Sequence, residues 1–203
     1  MKDNIIQIAK LFLVAVVSAF LLSYVYSVTK EPIEKAKNAE ITEAIKSVIP
    51  NISDQMIIKD TSLVSDIESI PLKVYIILNS DSTVYSYSVL SYTKKGYGGT
   101  ITMMIGVDKE FKITGIYPLE FSETPGLGTK MTENKFKDQF LSKSLSNFKF
   151  KVNKDGGDIQ AITSATITSR AVGDCLERGL KVLEYNFKES ETDSSKSVEV
   201  KDE

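Results

Sequence analysis

The sequence has no histidine, no tryptophan and a single cysteine among its 203 residues. Without histidine and with one thiol, the chain offers no His/Cys metal site, no internal disulfide and no iron–sulfur cluster ligated by its own cysteines. Proton transfer near neutral pH would need a tuned carboxylate or a cofactor, because histidine is the side chain that ordinarily titrates there. The side chains also supply little redox chemistry, so a redox role requires a bound group.

An excess of positive charge is missing too. The net charge is −2 and the pI is about 5.4, so the chain lacks the basic footprint of a nucleic-acid-binding protein and we expect no nucleic-acid partner. Its length and 42% hydrophobic content suit one ordinary globular domain plus an anchor.

An uncharged run extends from Leu11 to Val28. Counted from Ile5, with Lys10 reaching toward the interface, the segment is about 36 Å long as a helix, against a hydrocarbon core of about 30 Å. A cleaved signal peptide is the alternative, but the run exceeds the usual apolar region of roughly 7–15 residues. We therefore predict that residues 1–30 hold a single helix retained in the lipid bilayer. Lysines flank both ends, so the positive-inside rule does not decide its orientation.

Residues 31–50 predict a second, juxtamembrane helix. Pro32 suits a first helical position, and apolar residues then recur at roughly helical intervals until Pro50-Asn51 stops the pattern. This helix either holds the domain away from the membrane or packs on it.

From Val74 the pattern changes to strands separated by turn residues. These strands occupy Val74–Leu78, Val84–Val89, Thr100–Val107 and Phe111–Leu119. They predict an antiparallel meander within a domain at 51–187 and, with the helices, an α+β fold. The same domain contains a short helical pattern at Asn134–Leu145 and an alternating, strand-like one at Phe148–Val152. Residues 188–203 are mostly Ser, Glu, Asp and Lys, and we expect a disordered tail.

Two glycine-containing loops interrupt the β-rich part. Gly96-Tyr97-Gly98-Gly99 permits a tight turn or close backbone approach to a ligand. In Glu123-Thr124-Pro125-Gly126-Leu127-Gly128, proline followed by glycine is typical of a type II turn. Gly128 would keep that loop thin enough for a flat ring to lie against it.

A hydroxyl-rich, uncharged stretch spans 163–169 and leads into an amphipathic helix that ends near Phe187. Thr168 or Ser169 is predicted to be the N-cap of this helix. The stretch then lies at the positive end of the helix dipole, where a phosphate binds well. Arg170, one of two arginines, could neutralise an anion there. Cys175 falls on the apolar side of the helix and is predicted to be a small buried residue.

Taken together, Ala161–Val172, the Glu123–Gly128 motif and Gly96–Gly99 resemble the FMN-binding domain family. The relatives it is most similar to are the G subunit of the Rnf electron-transport complex and the C subunit of the sodium-translocating NADH:quinone reductase. The resemblance covers roughly residues 5 to 187.

In that family the pattern Asp-x-x-(Ser/Thr)-Gly-Ala-Thr carries FMN on its last threonine through a phosphoester. The resemblance implies that this residue is Thr166. Gln160 replaces the family aspartate, and Asp158 stands two residues upstream; Ser164 replaces the usual glycine. Before the second motif, Phe121 stands where a histidine is expected.

The resemblance also implies the surroundings of the flavin. Thr168, Ser169 and the helix N-terminus would contact the phosphate, and Arg170 is a further candidate. Glu123 and Thr124 would be polar partners, with Leu127 and Ile167 packed on the ring and Tyr97 stacked over it. The full set of expected cofactor-binding residues is Tyr97, Glu123, Thr124, Gly126, Leu127, Gly128, Ser164, Ala165, Ile167, Thr168 and Ser169.

As in Rnf complexes, the flavin would be one station between reduced ferredoxin and NAD+, coupled to Na+ or H+ movement. The chain would be a carrier without catalytic residues of its own, held among other membrane subunits of the complex. Its domain would lie on the extracytoplasmic side of the cell membrane, and an external flavin transferase would attach FMN from FAD. Two alternatives stay open: an anchored scaffold or sensor without flavin, which Gln160 favours, and FMN held without a covalent bond.

Overall fold

A computed structural model describes residues 2–53, 56–65 and 68–188, so most of the predicted tail lies outside the described residues. The chain divides into two compact units, one up to Thr42 and one from Glu43 onward. Each unit is described by itself.

The first unit is a single helix, which is part of α1 (Lys2–Val48). Its apolar side chains are exposed, including Leu11, Phe12 and Phe20. It is the one helix among the described residues that is long and apolar enough to cross a membrane. This agrees with the membrane helix predicted from the uncharged run.

The segment predicted as a second helix is helical and ends at Val48, before Pro50, but its predicted start was wrong, because Pro32 lies inside α1. An internal proline removes one helical hydrogen bond and costs about 3 kcal/mol. Its neighbours are good helix formers, and Glu31 pairs with Lys35 at 2.7 Å one turn later. Such flanking residues allow the helix to continue through the proline.

The second unit is built on a five-stranded antiparallel sheet in sequence order. Its strands are β1 (Ile57–Ser65), β2 (Glu68–Leu78), β3 (Val84–Thr93), β4 (Ile101–Val107) and β5 (Ile113–Glu120). The predicted meander and α+β class are therefore confirmed. The sequence did not predict β1 or the start of β2, because edge strand β1 leaves residues such as Ile57 exposed and lacks a clear two-residue alternation.

Helix α3 (Thr166–Leu183) covers one face of the sheet, and a π-helical turn at Glu184–Lys188 follows it. Gly179 of α3 lies against Val89 and Ile105, and the apolar side chains of these layers form the main core. Cys175 is completely buried in that core, as predicted.

The last turns of α1, within the second unit, cover the opposite face. Ala44, Ile45 and Val48 are buried there. Val48 lies over β4 and β5, where the Thr114 hydroxyl donates a 2.6 Å hydrogen bond to its carbonyl oxygen.

Short turns connect β5 to α3: a 3₁₀ turn at Gly128–Thr132, α2 (Asn134–Lys137) and further 3₁₀ turns at Asp138–Phe140 and Asn153–Asp155. The helix expected at Asn134–Leu145 is therefore shorter than its pattern indicated. The strand expected at Phe148–Val152 is absent, since only Val152 forms an isolated bridge, with Ile159.

The alternation that suggested a strand there has another cause. Phe148 and Phe150 both pack on Phe140, with ring centroids 6.1 and 6.5 Å from it. The burial of these alternate aromatic residues, complete or partial, thus comes from one aromatic cluster and not from pairing in the sheet.

Candidate functional site

A cleft of about 480 Å³ opens where three separated segments meet. The glycine loop before β4 contributes one residue, the loop after β5 contributes four, and the start of α3 contributes the rest. Its lining residues are Tyr97, Glu123, Thr124, Leu127, Gly128, Ser164, Ala165, Thr166, Ile167 and Thr168. All ten belong to the set that the sequence analysis proposed.

The loop after β5 forms the turn that its sequence indicated. Gly126 has a φ of 75°, and the Leu127 N–H donates to the Thr124 carbonyl oxygen at 3.2 Å. The hydroxyl of Thr129 accepts a hydrogen bond from the Gly126 N–H at 2.9 Å. Gly126 shapes this turn but is not among the cleft-lining residues. Sequence reasoning missed Thr129, although threonine hydroxyls close to a turn are known to bond to its backbone.

Glu123 is the junction of the site, with only 6% of its surface exposed. Its Oε2 accepts a 2.6 Å hydrogen bond from the Thr168 hydroxyl. Its Oε1 accepts one from the Gly98 N–H at 3.2 Å. The side chain therefore joins all three segments, and both carboxylate oxygens have partners within the protein.

Position 128 has room only for glycine, because Glu123 occupies the space beside it. A Cβ at Gly128 would lie 2.5 Å from Glu123 Oε2 and 2.8 Å from Thr168 Oγ1. Such distances are far below normal contact, so a side chain here would push the loop away from α3. The sequence analysis also predicted a need for a small residue at this position, but it gave a different reason, the close approach of a ligand to the backbone.

Three apolar side chains stand exposed around the cleft. Tyr97 is 71% exposed, Ile167 48% and Leu127 40%. Each comes from a different segment, and exposed apolar groups that converge on a concave site are typical of a ligand-binding surface. A flat, largely apolar ring is the kind of ligand that would cover all three.

The cleft also meets the N-terminus of α3, which begins at Thr166 and not after Thr168 or Ser169. The predicted N-cap was therefore wrong: Ala165 is in the cap position, and no side chain caps the helix. The first turn of an α-helix leaves N–H groups without intrahelical partners. These groups and the helix dipole favour an anion beside Thr166.

The hydroxyls of this stretch differ in their surroundings. Those of Thr168 and Ser169 are buried and bonded inside the protein, to Glu123 and to the Ala165 carbonyl oxygen respectively. Ser169 Oγ also accepts from the Ile162 N–H at 2.9 Å. Thr166 is partly exposed and lines the cleft. Among the described residues, its hydroxyl has no hydrogen-bond partner.

Arg170, a candidate for the phosphate site, pairs with Asp155. Its guanidinium donates two hydrogen bonds to Asp155, at 2.6 and 2.9 Å. These bonds hold the pKa of the Asp155 carboxyl below its ordinary value. Arg170 and Ser169 are not among the residues that line the cleft.

The two departures from the family pattern lie in different environments. Ser164 has a φ of 64°, the left-handed region that glycine adopts without strain. Gln160 lies outside the cleft with an exposed side chain, and its N–H donates to Gln139 Oε1 at 2.8 Å. The Gln160 departure therefore does not alter the lining of the cleft.

Residues 96–181 match the family model described as FMN-binding domain. The chain is 31% identical over 183 residues to the G subunit of the ion-translocating oxidoreductase complex of Shewanella amazonensis, covering 85% of this chain and 84% of that protein. The chain belongs to the family of these G subunits.

A second member is also 31% identical, over 189 residues: the G subunit of the Na(+)-translocating ferredoxin:NAD(+) oxidoreductase complex of Acetobacterium woodii. That alignment covers 86% of this chain and 88% of the relative. Among solved structures, the C subunit of the Na(+)-translocating NADH-quinone reductase of Parabacteroides distasonis aligns with a TM-score of 0.57 at 21% identity, over 75% of this chain and 94% of the other. This last likeness establishes a shared fold.

The residues present fit an FMN. Tyr97, Leu127 and Ile167 would provide the apolar surface for its ring, and the uncapped N-terminus of α3 would provide a place for its phosphate. The matched residues include every one that lines the cleft.

Proposed function

We propose that this chain is the membrane-anchored electron-carrier subunit of an ion-translocating ferredoxin:NAD+ oxidoreductase of the Rnf type, with FMN esterified through its phosphate to Thr166. The observation that carries the proposal is the position of this residue. Thr166 is partly exposed, lines the cleft and is the first residue of a helix whose N-terminus has no side-chain cap.

Bound FMN supplies the electron-transfer chemistry that the side chains lack. The residues of the chain would bind and orient it. The first N–H groups of α3 would donate to the phosphate, while Leu127 and Ile167 pack against the ring and Tyr97 limits its contact with water. Glu123 and Thr168 hold the cleft in shape through their mutual hydrogen bond.

Attachment needs help from another protein. A threonine hydroxyl is a weak nucleophile, and no base stands next to Thr166 in the sequence. In the proposed step, Thr166 Oγ1 bonds to the flavin-side phosphorus of FAD, the pyrophosphate bond breaks and AMP leaves. A flavin transferase would accept the hydroxyl proton. The ester would keep the cofactor in place on the extracytoplasmic side of the membrane.

The first test compares Thr166→Ala, Thr166→Ser and wild type, each co-expressed with a flavin transferase. We expect flavin fluorescence to migrate with the wild-type chain on a denaturing gel and to be lost in Thr166→Ala. Serine keeps a hydroxyl and should retain some attachment. Thr132→Ala is the matched control, because it removes the hydroxyl of an exposed threonine that lies outside both the cleft and the family pattern.

The other outcomes separate the alternatives. Flavin that acid precipitation releases into the supernatant would mean non-covalent FMN, and a colourless native protein would favour the scaffold or sensor. Fluorescence that stays on the Thr166→Ala band would contradict the assignment of Thr166.

The proposed topology is tested with an introduced thiol. Cys175 is buried, so a Lys109→Cys variant presents the accessible cysteine in the exposed turn between β4 and β5. We expect a membrane-impermeant maleimide to label it in intact cells. Labelling only after cell lysis would place the domain in the cytoplasm. Co-purification with the other membrane subunits would test membership of the complex.

A further inference from the structure

The glycine loop that carries Tyr97 is held on both sides of that residue. On one side, the Gly98 N–H donates to Glu123, which in turn accepts from Thr168 of α3. On the other side, the Lys95 ammonium donates to Asp174 of α3. Both attachments thus lead to the same helix.

Asp174 has a second partner on the sheet. The Thr93 hydroxyl, at the end of β3, donates to Asp174 Oδ2 at 2.7 Å, and Thr93 is completely buried. Burial alone would raise the pKa of Asp174, but hydrogen bonds from Lys95 and Thr93 bring it below its ordinary value. The carboxylate is therefore the form that the site stabilises.

Asp174 lies on the same side of α3 as Ile167, which lines the cleft. It lies seven residues after Ile167, which is two helical turns and places both on one side of α3. The Asp174 carboxylate therefore links the end of β3 and the base of the glycine loop to the side of α3 that carries Ile167. Asp174 itself does not line the cleft.

We propose that Asp174 is a positioning residue, which, through Thr93 and Lys95, fixes where Tyr97 stands over the flavin relative to Ile167. This inference rests on the proposed function, because it concerns the fit of the same cleft to its cofactor. Asp174 acts without touching the cofactor.

The two links that run from Asp174 to Thr93 and Lys95 differ in strength, and its ion pair with Arg178, at 3.8 Å, stays within α3. The Lys95 side chain is 68% exposed, and exposed ion pairs contribute little. The Thr93 hydroxyl is buried, and a buried polar group that loses its partner is costly. We therefore expect loss of Asp174 to loosen the loop more than loss of the Lys95 ammonium.

The experiment uses the full chain with Asp174→Ala, Asp174→Asn and Lys95→Met. Glu177→Gln is the matched control, because Glu177 is also an ion-paired carboxylate on α3 but pairs with Lys181 at 2.7 Å, away from the loop. Hydrogen exchange of residues 95–99 is measured on the flavin-free chain. Quenching of flavin fluorescence by iodide is measured on the loaded chain.

We expect amide exchange at Gly98 to accelerate by roughly tenfold in Asp174→Ala, since local opening controls exchange. Iodide quenching should rise in the same variant, and Lys95→Met should show a smaller change in both. Glu177→Gln should match wild type. If Asp174→Ala does not fold, Asp174→Asn and Lys95→Met decide the outcome.

A variant that melts at lower temperature but keeps wild-type loop exchange and wild-type quenching would overturn the inference, because Asp174 would then be structural only. A wild-type chain that never carries flavin would instead contradict the proposed function. The exchange data on the flavin-free chain would still report on the link between Asp174 and the loop.

Discussion

The Thr168 hydroxyl and the Glu123 carboxylate, 45 residues apart in the chain, meet in a 2.6 Å buried hydrogen bond. Glu123 belongs to the Pro-Gly loop and Thr168 to the first turn of α3. The bond therefore joins the two motifs that the sequence displays separately. It also gives the Thr168 hydroxyl a role. This hydroxyl does not cap the helix, and it could donate to a phosphate only if its bond to Glu123 were broken.

Replacing Thr168 by valine removes the donor while keeping the shape of the side chain. We expect the free energy of unfolding to fall by about 1–3 kcal/mol, the usual cost of an unpaired buried polar group. Thr168→Ser keeps the hydroxyl and should lose less. Urea unfolding of the three proteins checks this. Equal stability of wild type and Thr168→Val would show that the bond contributes nothing net.

Ser164→Gly should stabilise the protein. Ser164 has a left-handed φ of 64°, which strains a residue with a side chain but not glycine. The gain should be about 0.5–1 kcal/mol, since glycine's greater freedom in the unfolded chain offsets part of the relief. Thermal unfolding is the measurement, with Thr163→Gly as the neighbouring control. A Ser164→Gly variant that is less stable than wild type would mean that the serine hydroxyl makes a contact worth more than the strain.

Gly115→Ala should weaken the packing of α1 on the sheet. Gly115 pairs with Gly106 across β4 and β5, and a Cβ at Gly115 would lie 2.8 Å from Val48 Cα. Because backbone atoms cannot simply rotate away, we expect a loss of about 1–3 kcal/mol. Urea unfolding measures it, and Lys112→Ala, an exposed change near the start of β5, should have little effect. An unchanged midpoint in Gly115→Ala would show that the end of α1 adjusts freely.

Cys175 should resist thiol reagents until the domain unfolds. Burial raises the pKa of its thiol to about 12, and the reactive form is the thiolate. Iodoacetamide at pH 8 should modify the chain in urea but not in native buffer. Rapid labelling of the native protein would show that the core around α3 opens readily.

The same thiol predicts a pH dependence of stability. The ordinary thiol pKa is 9.0 and the folded value is higher, so the unfolded chain loses this proton first. The contribution of the neutral thiol is complete below about pH 9 and is lost as the pH rises toward the folded value. Comparison of wild type with Cys175→Ala between pH 8 and pH 11 isolates this group from the lysines and tyrosines. Parallel stability curves would contradict the prediction.

Local patterns determined much of the molecule. An uncharged run of helical length predicted the apolar helix, alternating residues predicted the last four strands in part or in full, and Pro125-Gly126 predicted its turn. The amphipathic spacing after Thr166 predicted α3 and the burial of Cys175. These features depend on neighbouring residues, so the chain displays them without reference to distant partners.

Tertiary contacts decided the rest, because a hydroxyl, a carboxylate or an aromatic ring has several partners available and only the folded chain selects one. Thr168 and Ser169 are of residue types that commonly cap helices, but their hydroxyls donate to Glu123 and to the Ala165 carbonyl oxygen inside the protein. Arg170 pairs with Asp155, and Phe148 and Phe150 join an aromatic cluster and not a strand. The sequence determined which segments carry the site, whereas the fold determined that the partly exposed Thr166 lines the cleft while Thr168 bonds to Glu123.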